Sequence, residues 1–138
     1  MSWLLFALFS ALAAAATAIL AKLGVEAVPS TLATAIRTVV VVIFAWLMVF
    51  VAGESRVVTS IPRRSMMFLV LSGIGTGVSW LAYFRALQLG PASRVAPIDK
   101  LSLPLTVFLA ALLLHETVSW KAALGVALMV VGALLTIA

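Results

Sequence analysis

The chain has 138 residues, of which 65% are hydrophobic and only 9% are charged, against roughly 45–50% and about 25% in soluble domains. A soluble fold of this length leaves too much surface in water to hide so many apolar side chains, so the composition indicates a membrane protein. The net charge of +5 does not indicate nucleic-acid binding, because the basic residues are scattered and form no stripe. With no cysteine and a single histidine, the chain is not expected to hold a metal or a cofactor.

Five apolar stretches of membrane-spanning length follow one another along the sequence. Turn residues separate them, such as Pro29 and Ser30 before the second stretch and Gly90 and Pro91 before the fourth. Backbone groups in hydrocarbon must be satisfied within the segment, so each stretch is predicted to be a helix. We therefore predict an all-α integral membrane protein, a bundle of five transmembrane helices that forms one domain over residues 1–138. The predicted spans cover about residues 3–21, 31–51, 66–87, 94–114 and 120–137.

The second predicted span carries Arg37 about two turns from its start. A charge within a span is costly and is a functional candidate by default. In an alternating topology Arg37, Tyr83, Arg85, Asp99 and Lys100 all fall in the half of the membrane opposite the N-terminal face. We therefore predict a polar pocket that opens on that side.

The third predicted span combines glycines with a polar stripe. Gly73 and Gly77 have the GxxxG spacing of close helix contacts. The stripe either packs inside the bundle or lines a substrate path, and the residues favour neither interpretation. Trp80 and Tyr83 are the preferred pocket walls, because an aromatic residue beside a polar cavity can both stack and hydrogen-bond. The stripe consists of Ser72, Thr76, Ser79 and Tyr83.

Two prolines are predicted to interrupt the fourth span. Pro104 has no amide hydrogen, so the carbonyl of Lys100 is expected to lose its helical donor, and Pro97 does the same to Ser93. Interrupted helices near the membrane midplane hold substrates in many transporters. The break is therefore a candidate part of the pocket.

Asp99, Ser102 and Thr106 are expected to share one face of the fourth span. Lys100, turned by about 100° from Asp99, is expected to meet a different neighbour. An alternative is that Asp99 neutralises Arg37 or Lys100 in a buried ion pair that fixes helix register. Asp99 is also the only carboxylate deep enough to carry a proton, although neighbouring cations favour its charged form.

The fifth predicted span has Gly125 and Gly132 at a spacing typical of a helix-pairing face, within the chain or across a dimer. Glu116, before this span, is interpreted as an acid that favours the start of the helix. Basic residues are nearly balanced between the two membrane faces, so the sequence favours a cytoplasmic N-terminus only weakly, and insertion in both orientations is the alternative. One face has Arg56, Arg63, Arg64 and Lys121, and the other has Lys22, Arg85 and Arg94, with Arg37 and Lys100 deeper.

The sequence resembles the EamA family of the drug/metabolite transporter superfamily over nearly its whole length. The resemblance is carried by Lys22, by Pro29 followed by Arg37, and by three longer segments. It is closest to the short bacterial and archaeal branch with one EamA unit. The segments are YFRALQLGPAS (Tyr83 to Ser93), APIDKLSLPLTVFLAALLLHE (Ala96 to Glu116) and LGVALMVVGALL (Leu124 to Leu135).

This resemblance implies half of an inverted-repeat transporter, because longer relatives hold substrate between two such units. It implies an exporter or secondary transporter of a small polar or amphipathic metabolite in the cell (inner) membrane. The residues argue separately against an enzyme, because the sequence contains no nucleophile–base pair, metal-ligand set or phosphate loop. The expected partner is a second copy, possibly antiparallel, or a similar small subunit. The alternatives are an accessory subunit that does not transport, and a subunit of a flippase for a lipid-linked substrate.

The sequence thus predicts three groups of candidate functional residues. The pocket candidates are Arg37, Ser79, Trp80, Tyr83, Asp99, Lys100 and Ser102; the helix-break candidates are Pro97 and Pro104; and the candidates for helix packing or a dimer face are Gly73, Gly77, Gly125 and Gly132.

Overall fold

A computed structural model describes residues 3–138, and within them the chain is entirely helical, with no strand. A 3₁₀ helix, Glu54–Ser60, connects the second and third α-helices. The α-helices are α1 (Trp3–Gly24), α2 (Ser30–Val51), α3 (Arg63–Leu89), α4 (Ala92–Asp99), α5 (Ser102–Leu113) and α6 (Trp120–Leu135).

These helices confirm the predicted all-α membrane fold. Four stretches are long and apolar enough to cross a bilayer: α1, α2, α3, and α4 with α5 taken together as Ala92–Leu113. α6 is apolar but has only 16 residues, about 24 Å at 1.5 Å per residue. That is shorter than the ~30 Å hydrocarbon core, so the fifth span needs its flanking residues to reach both interfaces.

The start of α3 differs from its predicted bound, whereas α2 ends at Val51, the predicted position; both ends have local causes. α3 begins at Arg63, before the predicted start near residue 66, because the Pro62 carbonyl accepts a hydrogen bond from the Met66 amide at 3.0 Å. α2 ends before Gly53, whose φ of 72° is a left-handed conformation that glycine adopts without a steric penalty. The Gly53 amide donates to the Phe50 carbonyl at 3.1 Å, which caps the helix.

The chain forms two compact units. The central unit comprises residues 20–88, with the end of α1, all of α2 and nearly all of α3. The terminal unit comprises residues 3–19 and 89–138, and within it α6 packs against α4 and α5. The predicted single domain over residues 1–138 stays a prediction.

Most large apolar side chains of both units are exposed, as expected for helices that face lipid or another membrane helix. The buried apolar side chains of the central unit are Ala21, Val25, Phe84 and Leu87. They lie where α1 and α3 end and α2 begins.

Candidate functional site

A small buried core holds the ends of α1 and α3 together in the central unit. Val25, which directly follows α1, and Leu87, near the end of α3, are both 0% exposed. Ala21 and Phe84 are buried beside them. This core fixes the position of the polar side chains around it.

Lys22 joins α1 to the end of α3. Its Nζ donates to the Leu87 carbonyl at 2.8 Å. That carbonyl belongs to the last four residues of α3, which have no amide donor within the helix. The ammonium also lies where the negative end of the helix dipole favours a cation. Lys22 therefore closes the end of a neighbouring helix.

Gln88 attaches the loop between α1 and α2 to α3. Its Nε2 donates to the Val28 carbonyl at 3.3 Å and to the Val25 carbonyl at 3.5 Å. Its Oε1 accepts a hydrogen bond from Arg85 Nη1 at 2.7 Å, which fixes the orientation of the amide. Two hydrogen bonds therefore hold the loop to Gln88, and the third orients the Gln88 amide.

An open groove of about 710 Å³ lies between this loop and α3. It contains one acidic side chain, Glu26, and one basic side chain, Arg85. The groove lies at the ends of the helices, so it is open to the membrane surface. Sequence reasoning missed Glu26 and Gln88, although a carboxylate in a short loop between two spans was an available signal. The groove is lined by Glu26, Ala27, Val28, Pro29, Ser30, Thr31, Leu81, Arg85 and Gln88.

Arg37 lies deeper along α2 and contacts two aromatic rings of α3. It follows Ser30, a groove residue, by seven positions on nearly the same helix face, a distance of about 10 Å along the axis. Its Cζ lies 4.3 Å from the centroid of Trp80 and 5.3 Å from the centroid of Phe84. The structure thus brings Arg37 and Trp80 together, as the sequence suggested, and adds Phe84, which sequence reasoning missed.

The two threonine hydroxyl groups beside Arg37 on α2 donate hydrogen bonds to backbone carbonyls of the same helix. Thr34 is buried, and its hydroxyl donates to the Ser30 carbonyl at 2.8 Å. The Thr38 hydroxyl donates to the Thr34 carbonyl, also at 2.8 Å. Arg37 is therefore the donor-rich group on this face of α2.

In the terminal unit, Asp99 and Lys100 form an ion pair. Lys100 Nζ lies 3.3 Å from Asp99 Oδ2. The prediction that Lys100 meets a different neighbour from Asp99 is wrong, because its long flexible side chain reaches back across one residue. The pair is only partly covered, with the Asp99 side chain 34% and the Lys100 side chain 55% exposed.

The fourth span is interrupted at Lys100 and Leu101, between its two prolines. Pro97 lies inside α4 and does not itself end that helix, whereas Pro104 occupies the first turn of α5, where a missing amide hydrogen costs little. The Lys100 carbonyl has no amide donor at Pro104, four residues on, and accepts instead from the Leu103 amide at 3.0 Å. The chain tightens into a 3₁₀-like turn that re-satisfies the carbonyl.

The break also separates residues expected on one helix face. Asp99 ends α4, whereas Ser102 begins α5. Thr106 remains on the face of Ser102, and its hydroxyl donates to the Ser102 carbonyl at 2.8 Å. Asp99 therefore does not share one continuous helix face with Ser102 and Thr106, because the turn lies between them.

The remaining candidates lie along α3, α5 and α6. Tyr83 is half-buried, and its ring meets that of Phe84 edge-on at 6.3 Å. Ser79 and Ser102 are exposed. A methyl group added to any of four glycines would meet no atom of the described residues within 4 Å beyond the adjacent residues and the nearby backbone of its own helix. These glycines, Gly73, Gly77, Gly125 and Gly132, therefore face open space in the single chain.

The start of α6 is capped by Ser119 and not by Glu116. Ser119 Oγ accepts a hydrogen bond from the Ala122 amide at 3.2 Å, and the first turn of α6 contains no acidic residue. His115, with φ of 55°, turns the chain sharply after α5, and the Glu116 amide donates to the Ala110 carbonyl at 3.3 Å. Glu116 therefore belongs to the turn that ends α5, which corrects the prediction.

Residues 3–138 contain no group of three or more His, Asp or Glu side chains placed to hold a metal ion.

The chain matches the EamA-like transporter family over residues 1–138. It is 48% identical over 134 residues to an uncharacterized transporter in the cobO 3′ region of a Sinorhizobium species, a match that covers 97% of this chain and 95% of the relative. No solved structure matches the chain. The family match confirms the resemblance drawn from the motifs.

Proposed function

Because the chain belongs to the EamA-like transporter family, and is thus a multi-pass membrane transporter, we propose that it moves a small polar or amphipathic metabolite as a dimer in the cell (inner) membrane. Export and secondary transport are both compatible with the family. The observation that carries the proposal is the contact of Arg37 with Trp80 and Phe84 inside the central unit.

A guanidinium within a membrane span is costly and is retained where it contacts substrate, water or a partner charge. The two rings stabilise Arg37 by about 0.5–2 kcal/mol each, depending on how far the site is desolvated. Together the rings contribute about 1–4 kcal/mol, which offsets part or all of the ~2.5–3.5 kcal/mol that insertion scales assign to an arginine at the helix centre. A polar ligand at Arg37 would add hydrogen bonds to the guanidinium donors that the rings do not use.

The groove lined by Glu26 and Arg85 is proposed as the path from the membrane surface toward Arg37. Ser30 lines this groove, and Arg37 follows on the same face of α2, so the two sites lie along one helix. Tyr83 and Ser79 are proposed as further wall contacts. Within the terminal unit, the turn between Pro97 and Pro104, with Asp99, Lys100 and Ser102, is proposed as a polar segment that takes part in transport.

A dimer is proposed because one EamA unit accounts for the whole described chain, and the apolar helix faces are largely exposed. Among the described residues, no side chain or other helix would meet a Cβ added at Gly73, Gly77, Gly125 or Gly132, which leaves room for a close helix contact from a second copy. The near balance of basic residues between the two faces supports an antiparallel arrangement.

Reconstitution tests transport. Purified protein in liposomes is supplied separately with radiolabelled amino acids, small carboxylic acids and small amines, and uptake is compared with that of empty liposomes. Arg37→Gln is expected to abolish uptake of the transported compound. Arg64→Gln, which removes an arginine 5.9 Å from the Phe68 ring at the other end of α3, is the matched control and is expected to retain uptake. No uptake of any compound by the unmodified protein would instead favour the accessory-subunit function.

Orientation tests the form of the dimer. Tags on both termini are probed with an impermeant reagent in spheroplasts and in inverted vesicles. Labelling of each tag from both sides is expected for antiparallel copies. A single orientation would exclude the antiparallel homodimer and would require a different subunit as partner.

The open side of the groove also favours one alternative, movement of a lipid-linked substrate. Arg85 lies in a groove at the ends of the helices, where it can meet a headgroup. Scrambling of fluorescent phospholipids in the same liposomes, measured by quenching with dithionite, distinguishes this function from uptake of a soluble compound.

A further inference from the structure

We infer that Arg37 binds an anionic group, a carboxylate or a phosphate, and that the transported molecule therefore carries one. This inference rests on the proposed transport function and names the chemical class of its substrate. It is carried by the distribution of charges within the spans and by the contacts of Arg37.

Three charged side chains lie well inside the predicted spans: Arg37, Asp99 and Lys100. Two of them, Asp99 and Lys100, pair with each other at 3.3 Å. This ion pair balances the charges of Asp99 and Lys100 and leaves the positive charge of Arg37. An anionic ligand is the species that neutralises it.

No carboxylate of the central unit is available to Arg37. The acidic residues among residues 20–88 are Glu26 and Glu54. Glu26 lies in the loop before α2, and Glu54 lies in the 3₁₀ helix after it. Neither forms an ion pair with Arg37, so within residues 20–88 the guanidinium contacts aromatic rings and no carboxylate.

The contacts of Arg37 leave its hydrogen-bond donors unused within the central unit. A guanidinium has five N–H donors directed outward in its plane. Within this unit, Arg37 Cζ contacts the rings of Trp80 and Phe84, and no acceptor among residues 20–88 takes a hydrogen bond from the guanidinium. Carboxylates and phosphates match the paired donors of arginine and form charge-assisted hydrogen bonds with them.

The same surroundings disfavour a cation. A second positive charge close to Arg37 would be repelled strongly where the dielectric constant is low. The neighbouring rings suit the apolar part of an amphipathic anion. Arg85 in the groove adds a further positive charge on the proposed path.

The test uses Trp80 as a reporter of events at Arg37. Trp3, Trp46 and Trp120 are replaced by phenylalanine in the full chain, so that the emission of Trp80 alone is measured. The protein is placed in nanodiscs of phosphatidylcholine and titrated with hexanoate, hexyl phosphate, hexylammonium or hexanol. The two anions are expected to change the Trp80 emission saturably, and hexylammonium and hexanol are expected not to do so.

Two variants keep the result specific. Arg37→Gln is expected to weaken the response to hexanoate by roughly tenfold or more, because a charge-assisted hydrogen bond is lost. Arg64→Gln is expected to leave the response unchanged. An equal response to the anions and to hexylammonium, or an anion response retained in Arg37→Gln, would overturn the inference. If Arg37→Gln does not fold, the comparison of hexanoate with hexylammonium in the Arg37 protein still decides it.

The source of the anion is distinguished by repeating the titration in nanodiscs that contain phosphatidylglycerol. A response already saturated before hexanoate is added indicates an anionic lipid headgroup, and an unchanged titration indicates a soluble metabolite; both support an anion at Arg37. Failure of the two proposals is distinguishable. Anion binding without uptake in liposomes refutes transport, whereas uptake of a cation or a neutral compound without an anion response refutes only this inference.

Discussion

Replacing Lys22 by methionine is expected to loosen the end of α3. The lysine donates to the Leu87 carbonyl at 2.8 Å, and this is a link from α1 to the C-terminal turn of α3. Methionine keeps the length and the apolar stem of the side chain but removes the ammonium. The Leu87 carbonyl then loses its charged donor, and no amide of α3 follows at a position that could replace it.

The magnitude follows from the contact. A hydrogen bond to a charged group contributes ~1.5–3 kcal/mol, and the interaction with the helix dipole adds ~0.3–1 kcal/mol. Lys22 is half-buried, and desolvation of the ammonium offsets part of this gain. We therefore expect Lys22→Met to lower the free energy of unfolding by about 2 kcal/mol.

The assay is unfolding in mixed micelles by titration with sodium dodecyl sulfate, followed by far-ultraviolet circular dichroism. Lys121→Met is the matched control, because it removes a lysine from the exposed first turn of α6. It is expected to shift the free energy by no more than about 0.5 kcal/mol. Equal values for the two variants would refute the assignment of Lys22 as the tie between α1 and α3. Lys22→Arg, which keeps a donor, is expected to recover part of the loss.

Three further changes test other contacts. Ser119→Ala removes the cap of α6 and is expected to lower the free energy of unfolding in the same titration by about 1 kcal/mol; no change would show that the cap contributes nothing. Pro104→Ala supplies an amide for the Lys100 carbonyl and is expected to join α4 and α5 into one helix. Carbon chemical shifts at residues 99–103 would report this change. Unaltered shifts would mean that Pro104 does not cause the turn. Gln88→Leu removes a donor to the Val28 carbonyl. It is expected to speed hydrogen exchange of the loop before α2 roughly tenfold, which corresponds to a decrease of about 1.4 kcal/mol in the free energy of opening the loop. Exchange at the original rate would contradict the role of Gln88 as an anchor.

The candidate site could be predicted only in part. Arg37 was identifiable because a charge inside an apolar stretch stands out against its neighbours, and Trp80 because an aromatic residue beside a polar stripe is a plausible wall. Phe84 carried no such signal, since phenylalanine is ordinary in a membrane helix. Gln88 was also missed, because its role depends on two carbonyls more than fifty positions earlier in the sequence.

Two predictions were wrong at the ends of helices. Lys100 was placed away from Asp99 by the 100° rotation of a regular helix, yet the helix stops there and the flexible side chain reaches its neighbour. Glu116 was assigned to the start of the last helix because it is acidic and close, whereas Ser119 supplies the cap. A cap is decided by which oxygen reaches an amide, and charge alone does not determine this.

The sequence by itself determined the helical membrane fold, because each apolar stretch must satisfy its own backbone hydrogen bonds in hydrocarbon and does so locally. It also indicated the interruption of the fourth span, since proline acts on carbonyls three or four positions away. Only the tertiary structure decided that Arg37 lies against Trp80 and Phe84, and that Lys22 binds the Leu87 carbonyl. Those contacts join residues more than forty positions apart, and their formation depends on how whole helices pack, which local patterns do not specify.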